Sequence, residues 1–446
     1  MKRWRFFLGF GVCVYLSGYL LSASEGEPPQ DLTALEKELQ AVQAQMEVMQ
    51  SQIQNLQATI ARLKAMPQRQ ASIPGKPLHD KDPVELPKQK EVTASKYGLH
   101  FYGKIKTDLI HDSNDLGHDE YILFIPQFSD GESQTSFTAR ETRLGFALDD
   151  RPTGDWVTRA RFESDFYGSA QSDGSGSLRL RLAYAEFQNG PTAILVGQDW
   201  LPVASLNPST TNFTIMGYGG NLWGRVPQLT LRHEISNQWT GLISLFRYRD
   251  MDDVENFCDT DVEMPWVAGK LGFSPYTTDK ASAYIALSGA WRRGDVNGIS
   301  VDPKLAALEW KLPWAPLDFM GEAYWGEGLG PEFLHKRGAF NTLGHEIETR
   351  GGFLQFGVQA AERTRFHVGY GFDDPRNGDV LKCGPANPNY PFADNFYQKN
   401  TYLFGNLTQE LGSDLSTVVE GSWIKTNWST GEDEGFRFQG SMIYMW

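Results

Sequence analysis

The sequence predicts an all-β transmembrane barrel of 16 antiparallel strands, preceded by an N-terminal α-helical coiled coil. Three observations predict this fold: apolar and polar side chains alternate from residue 97 onward, short connections alternate with long ones, and a heptad repeat precedes the strands. They divide the 446 residues into four parts. We expect a signal peptide at 1–24, a coiled coil at 25–66, a Pro-rich linker at 67–96 and the barrel at 97–446.

The first 24 residues have the order of a secretory signal. Basic residues open the chain, an apolar run extends from Phe6 to Leu21, and the small residues Ser22-Ala23-Ser24 follow. An uncleaved membrane anchor is the alternative, but the run is shorter than the ~20 residues that a spanning helix needs.

Export to an oxidising compartment means that Cys258 and Cys383 could form a disulfide, or remain free thiols.

Residues 32–63 carry apolar side chains at alternating spacings of three and four. The a and d positions of this heptad are Leu32, Leu35, Leu39, Val42, Met46, Met49, Ile53, Leu56, Ile60 and Leu63. So narrow a stripe is typical of a helix that packs against copies of itself. Because it precedes the barrel, we expect the coil in the periplasm, with an unknown partner. A helix folded against its own barrel is the alternative, and the mostly uncharged e and g positions leave the oligomer number open.

The last 350 residues read as strands with one apolar face and one polar face. The first predicted strand lies near 98–111 and the last near 435–446, and the chain ends on Trp446. Short turns such as Gln188-Asn189-Gly190-Pro191 alternate with long connections, as in outer-membrane barrels with short periplasmic turns and long outer loops. A soluble β-sandwich has no reason to segregate its long loops in this way. By the same alternation, Cys258 and Cys383 fall in the fourth and seventh long connections, on the outer side.

Charged residues on the first four predicted strands share one face. If the apolar face contacts lipid, these residues line the lumen. They are Lys104, Lys106, Glu141, Arg143, Arg159, Arg161, Glu163, Asp165, Arg179 and Arg181. On the fourth strand, the residues expected to face lipid are Leu178, Leu180, Leu182 and Tyr184. Because neighbouring strands lie ~4.8 Å apart, the charges should form one patch.

This predicted patch has two interpretations. Its basic residues could raise the local concentration of anions, and the Arg fork suits carboxylates and phosphates because it binds two oxygens. Alternatively, the arginines could pair with Glu141, Glu163 and Asp165 and brace the wall. The two roles are compatible, so the sequence leaves both open.

Several stretches resemble the DcaP-like family of trimeric outer-membrane porins. They are Thr142-Arg143-Leu144-Gly145-Phe146, Arg161 to Gly168, Leu178 to Glu186, Val196-Gly197-Gln198-Asp199-Trp200 and Arg225-Val226-Pro227-Gln228. The resemblance implies a homotrimer that admits small anionic solutes such as dicarboxylates by passive diffusion, and a third long loop that narrows the pore. A phosphate-selective porin is the related alternative, although its Lys-rich ladder is not evident.

Other classes of function have less support in the sequence. An outer-membrane lipase would need Ser and His placed together, and the eight His are scattered, so we expect no enzyme. A barrel that anchors an envelope-tethering coiled coil remains the alternative to a pore. We see no cofactor motif, no metal cluster and no basic tract for nucleic acid, and the net charge is −14.

Overall fold

A computed structural model of the chain describes residues 98–127, 131–168, 176–247, 260–261, 264–276, 282–296, 299–333, 339–341, 345–380 and 397–446. The signal peptide, coiled coil and linker predicted for residues 1–96 lie outside these ranges, as do Cys258 and Cys383. In the part of the chain that is described, no helix is both long and apolar enough to cross a bilayer.

Almost all of the regular structure is β-strand. The strands are β1 Leu99–Asp112, β2 Gln134–Thr138, β3 Arg143–Thr153, β4 Trp156–Asp165, β5 Arg179–Asn189, β6 Thr192–Trp200, β7 Arg225–Glu234, β8 Trp239–Phe246, β9 Thr260–Asp261, β10 Trp266–Phe273, β11 Tyr284–Trp291, β12 Gly294–Val296, β13 Ile299–Val301, β14 Lys304–Trp314, β15 Leu317–Glu327, β16 Glu348–Ala361, β17 Thr364–Pro375, β18 Lys399–Glu410, β19 Leu415–Trp428 and β20 Gly431–Met445. A 3₁₀ turn at Gly330–Phe333 and a one-turn helix at Asn377–Val380 complete the described elements.

The large sheet is a closed antiparallel barrel. Each barrel strand pairs with its neighbour along the chain, and the first strand, β1, pairs with the last, β20. β2 and β3 both pair with β1, β2 at one end and β3 at the other, so together they form one interrupted strand of the wall. β9, β12 and β13 form a separate small sheet. The predicted barrel of 16 antiparallel strands is therefore confirmed.

The two faces of the barrel differ in the way that the alternation predicts. On β1, Phe101, Ile105 and Leu109 are 63 %, 48 % and 54 % exposed on the outside. Lys106 and Asp108, between them in sequence, are 2 % exposed on the inside. Successive strand residues point to opposite sides of a sheet, so one strand presents an apolar outer face and a polar inner face. Outward apolar side chains of this size belong in contact with lipid rather than water.

Short and long connections lie at opposite ends of the barrel. At one end the connections have two to four residues, except 274–283. Two of these turns are closed by Gly154 and Gly190, whose φ angles of +64° and +55° suit a residue without a Cβ atom. At the other end the connections have at least 12 residues, except 429–430. The connections that contain positions 258 and 383 both leave this second end.

Candidate functional site

The third long connection, residues 201–224, crosses the interior of the barrel. Its backbone N–H groups donate to three buried carboxylates on the wall. Ser205 donates to Glu309 on β14, Thr211 to Glu420 on β19 at 2.8 Å, and Leu222 to Glu322 on β15 at 3.1 Å. Burying a polar group without a hydrogen-bond partner is costly, so these three bonds between buried groups hold the segment inside the barrel.

The middle of the third connection reaches the strands that close the barrel. The carbonyl oxygen of Thr211 accepts hydrogen bonds from Lys106 Nζ at 2.6 Å and from Gln439 Nε2 at 3.3 Å. Asn212 Nδ2 donates to the Tyr402 hydroxyl at 2.7 Å. The segment is thus attached to one side of the wall, from β14 round to β1, and the inner face of β3 to β7 lies across the lumen from it.

Backbone strain accompanies this inward path. Four residues of the third connection other than glycine have positive φ angles, between 49° and 63°. They are Ala204, Ile215, Met216 and Tyr218. Each such residue costs on the order of 1–3 kcal/mol and persists where its surroundings over-determine it. The hydrogen bonds to the wall are the contacts that hold this conformation.

The first long connection also enters the barrel, which the sequence did not indicate. Ile122 and Ile125 are 0 % exposed and pack with Met216 and Tyr402 in one apolar cluster. Thr214 Oγ1 donates to the carbonyl of Ile122 at 2.5 Å, which links the first connection directly to the third. The lumen is therefore occupied by two inward segments on the same side.

Three aromatic side chains meet where these segments face the opposite wall. Tyr167, which follows β4, stacks on Phe213 of the third connection with ring centroids 3.9 Å apart. Tyr121 of the first connection lies 6.2 Å from Phe213, and the Arg179 guanidinium lies 5.1 Å from the Phe213 ring. Burial raises the pKa of the Tyr121 phenol above its ordinary value. The second and third long connections are thus in contact here, with Arg179 of β5 beside them.

The basic residues predicted to line the lumen are brought together on the inner face, and most of them pair with carboxylates. Glu141 accepts from Lys104 at 2.6 Å and from Lys106, and lies 3.4 Å from Arg143. These residues come from β1 and from either side of the break between β2 and β3. One glutamate therefore joins three cations across two neighbouring strands.

A second set of ion pairs lies on β4 and β5. Arg179 donates to both carboxylate oxygens of Asp165, at 3.0 and 2.6 Å. Arg181, which is 1 % exposed, pairs with Asp165 at 2.9 Å and with Glu163. Two-pronged Arg–carboxylate pairs are rigid as well as strong. These contacts agree with the interpretation in which the arginines brace the wall.

The two remaining predicted basic residues lie nearer the end with short turns. Arg159 contacts Asp150 at 2.7 Å and Glu186 at 3.5 Å. The Arg161 guanidinium lies 5.4 Å from the ring of Tyr102. At least six of the seven predicted basic residues therefore have a carboxylate within 4.0 Å.

One detail of the predicted wall is wrong. Leu182 and Tyr184 were expected to face lipid with Leu178 and Leu180, but they face the interior. Glu163 of β4 is the register partner of Leu182, and the next residue of β4 is the register partner of Leu180. The residue of β5 that lies between Leu180 and Leu182 is therefore left out of the pairing. This β-bulge places two successive residues, Arg181 and Leu182, on the inner face and reverses the alternation for the rest of β5.

Several inward basic residues were missed by the sequence analysis, among them Arg140, Arg225 and Arg232. Arg140, in the break between β2 and β3, pairs with Glu120 of the first connection at 2.6 Å, and Arg232 on β7 pairs with Glu186. Arg225 begins β7, where the sequence indicated the end of a long loop. Its guanidinium lies 5.1 Å from the ring of Trp200 and 5.3 Å from that of Trp223. The apolar–polar alternation of β7 was the available signal.

Within the described ranges, no three His, Cys, Asp or Glu side chains are arranged to hold a metal ion. The inner surface instead offers guanidinium groups, aromatic rings and backbone amides. Such groups guide and bind anions without covalent chemistry.

Comparison with known proteins gives structural matches only. No protein-family model matches the sequence, and no curated protein matches it either. Among solved structures, the outer membrane channel DcaP of Acinetobacter baumannii is similar, with a TM-score of 0.65 and 18 % identity over 78 % of this chain and 97 % of that chain.

Two further structures extend the likeness. The anion-selective porin from Comamonas acidovorans has a TM-score of 0.54 and 10 % identity over 78 % of this chain and 99 % of that one. Pseudomonas putida OprB has a TM-score of 0.53 and 8 % identity over 79 % and 95 %. At such identities the likeness concerns the fold, and it agrees with the resemblance found in the sequence motifs. Residues 98–446 thus have the 16-stranded barrel fold of outer-membrane porins, DcaP among them.

Proposed function

We propose that the protein is an outer-membrane porin through which small anionic solutes, such as dicarboxylates, diffuse passively. One observation carries this proposal: inward Arg side chains on β3 to β5 and β7 face the third connection across the lumen. A local excess of charge of one sign in a low-dielectric channel raises the local concentration of the opposite ion. The fold that the chain shares with porins supports the same conclusion.

The two inward connections narrow the path in this proposal. The third connection, with Phe213, and the first, with Tyr121, approach the basic wall near Tyr167. A solute that passes here contacts guanidinium groups on one side and aromatic rings on the other. The pore then selects solutes by size and charge at one position along its axis, and their passage requires no energy source.

Location and assembly are part of the proposal. The outward apolar side chains support insertion in the outer membrane, and the signal sequence supports export. The heptad repeat at 32–63 supports a periplasmic coiled coil that holds a homotrimer together. The anchoring function that we considered as an alternative would use the same coil without needing the basic lumen.

Planar-bilayer recording of the purified full-length protein tests the proposal. Under a KCl gradient, the reversal potential should have the sign of chloride preference, because the inner wall attracts anions. Replacing KCl by potassium succinate or potassium phosphate on one side compares the two anion classes. Cation preference, or an absence of channels, would refute the proposal, and a clear preference for phosphate over succinate would favour a phosphate-type porin.

A further inference from the structure

Arg225 differs in its charge balance from Arg143, Arg179 and Arg181. Arg143, Arg179 and Arg181 each lie within 4.0 Å of a carboxylate. The contacts of the Arg225 side chain are with the two indole rings, and no described carboxylate lies within 4.0 Å of it. In the described part of the wall, much of the basic charge is thus neutralised, whereas that of Arg225 is not.

The surroundings of Arg225 fix its position. Trp200 is its register partner on β6, so the two side chains share the inner face. Trp223, 5 % exposed, lies on the third connection two residues earlier, and the two indole centroids are 6.0 Å apart. A guanidinium between aromatic faces is held by cation–π attraction, which leaves the N–H groups at its edge available for an anion.

Three buried donors in this cluster have no acceptor among the described residues. They are Arg225 Nη1, Arg181 Nη2 and Trp223 Nε1. The Arg181 guanidinium also lies near Trp200, 5.8 Å from its ring, so all three belong to one group of side chains. Burying a donor without an acceptor costs free energy, and unpaired buried donors in a native structure call for an explanation. An anionic oxygen is the kind of acceptor that would suit the two guanidinium donors.

From this we infer that Arg225, with Trp200, Trp223 and Arg181, forms a binding subsite for the carboxylate group of a permeating anion. The inference rests on the proposed porin function and makes it more specific, because it assigns anion preference to one residue rather than to the whole patch. Arg225 is partly exposed to the lumen, so a solute reaches it. The nearest carboxylates, Glu163 and Asp165, are already engaged by Arg181 and Arg179.

A carboxylate suits this subsite better than phosphate does. One uncompensated positive charge matches one carboxylate charge, and the planar fork of Arg pairs with two oxygens in a plane. The two charges of the phosphate dianion lie on one small group, so the neighbouring Glu163 and Asp165 would repel it more strongly than a dicarboxylate whose second charge is at its far end. Succinate is therefore a suitable probe, with inorganic phosphate as the comparison.

Bilayer recordings of three variants test the subsite. Arg225→Gln removes the charge, Arg225→Lys keeps the charge but not the fork, and Arg363→Gln makes the same charge change at an exposed turn at the other end of the barrel. We expect Arg225→Gln to lower chloride preference and to weaken succinate-induced current block by about tenfold or more, as loss of a charged hydrogen bond implies. Arg225→Lys should keep chloride preference and lose succinate block, and Arg363→Gln should match the parent protein.

The possible outcomes distinguish a failure of the Arg225 subsite from a failure of the proposed porin function. If the parent protein conducts anions with succinate block, and Arg225→Gln leaves both unchanged while Arg179→Gln reduces them, the subsite is overturned and the porin function stands. If the parent protein shows no anion preference, the porin proposal itself fails. Because Arg225→Lys keeps the positive charge, normal block in that variant would overturn the role of the fork even if Arg225→Gln did not fold.

Discussion

Arg437 on the last strand and Asp112 at the end of the first strand form a two-pronged ion pair across the line where the barrel closes. Arg437 Nε donates to Oδ1 at 2.7 Å and Nη2 donates to Oδ2 at 2.6 Å. Both side chains are 1 % exposed, and the two residues are register partners. Arg437 also donates to the carbonyl groups of His118 and Asp119, at 3.1 and 3.2 Å. One side chain therefore joins the closing seam to the inward first connection.

Substitution of Arg437 tests this relationship. Arg437→Gln leaves the Asp112 carboxylate buried without its cation, which typically costs about 3–5 kcal/mol. We expect a matching loss of unfolding free energy in urea titration of the lipid-reconstituted protein, followed by Trp fluorescence. Arg293→Gln is the control, because its pair with Asp302 is 53 % exposed on both sides and is worth roughly 0–1 kcal/mol. Equal losses in both variants would show that the seam pair has no special role.

Lys270 pairs with one of two facing carboxyl groups under the third connection. Glu309 and Glu322 are register partners on β14 and β15, and both are nearly inaccessible. Lys270 Nζ pairs with Glu309 and donates to Ser205 Oγ at 2.6 Å. Lys270→Met should therefore leave the Glu309 carboxylate buried without its cation and cost about 3–5 kcal/mol of unfolding free energy.

The double variant distinguishes the cost of a buried carboxylate without its cation from the cost of lost packing. Lys270→Met with Glu309→Gln removes one of the two facing carboxylates, so most of the lost stability should return. Urea titration of both variants measures the difference. A double variant as unstable as Lys270→Met would mean that the lysine acts through its packing and not through its charge.

Gly220 lets the third connection lie directly against β16. Its φ is +108°, and a Cβ atom there would collide with the carbonyl oxygen of Gly352. We expect Gly220→Ala to move the segment off the wall and change the single-channel conductance, at a cost of at least about 1–3 kcal/mol. Gly412→Ala is the matched control, since a Cβ atom there meets nothing within 4 Å. Identical conductance in the two variants would mean that this contact does not position the segment.

Cys258 and Cys383 fall in connections that leave the same end of the barrel, and a disulfide between them remains a prediction. Export to an oxidising compartment favours the bond. A thiol reagent applied to the denatured protein should label these residues only after reduction. Labelling of both thiols without reductant would exclude the bridge.

The heptad repeat makes a prediction about assembly. Leu39→Asp places a charge at an a position of the coiled-coil seam and should weaken the trimer, whereas Gln43→Asp, off the seam, should not. Native mass spectrometry in mild detergent measures the trimer fraction of each variant. Trimers of equal stability would mean that the barrel alone holds the assembly together.

The local pattern of the sequence was enough to predict the barrel. The side-chain period of a strand is two, so alternation reports both the strand and its outer face without knowledge of any partner. The number of strands and the separation of short from long connections follow from the same pattern. The same pattern predicted which basic residues face inward wherever the alternation is unbroken, as on β1 and β4.

Contacts between distant parts of the chain were decided only by the tertiary structure. The bulge at Arg181 turned Leu182 inward because one residue is skipped in the pairing of β4 with β5. The position of the third connection inside the barrel depends on hydrogen bonds to glutamates that lie about 100 to 210 residues away in sequence. Whether an inward arginine has a carboxylate partner depends on every neighbour that the closed barrel places beside it. Sequence alone therefore determined strand periodicity and sidedness, which are local, whereas register, loop placement and charge pairing required the closed barrel that brings remote residues together.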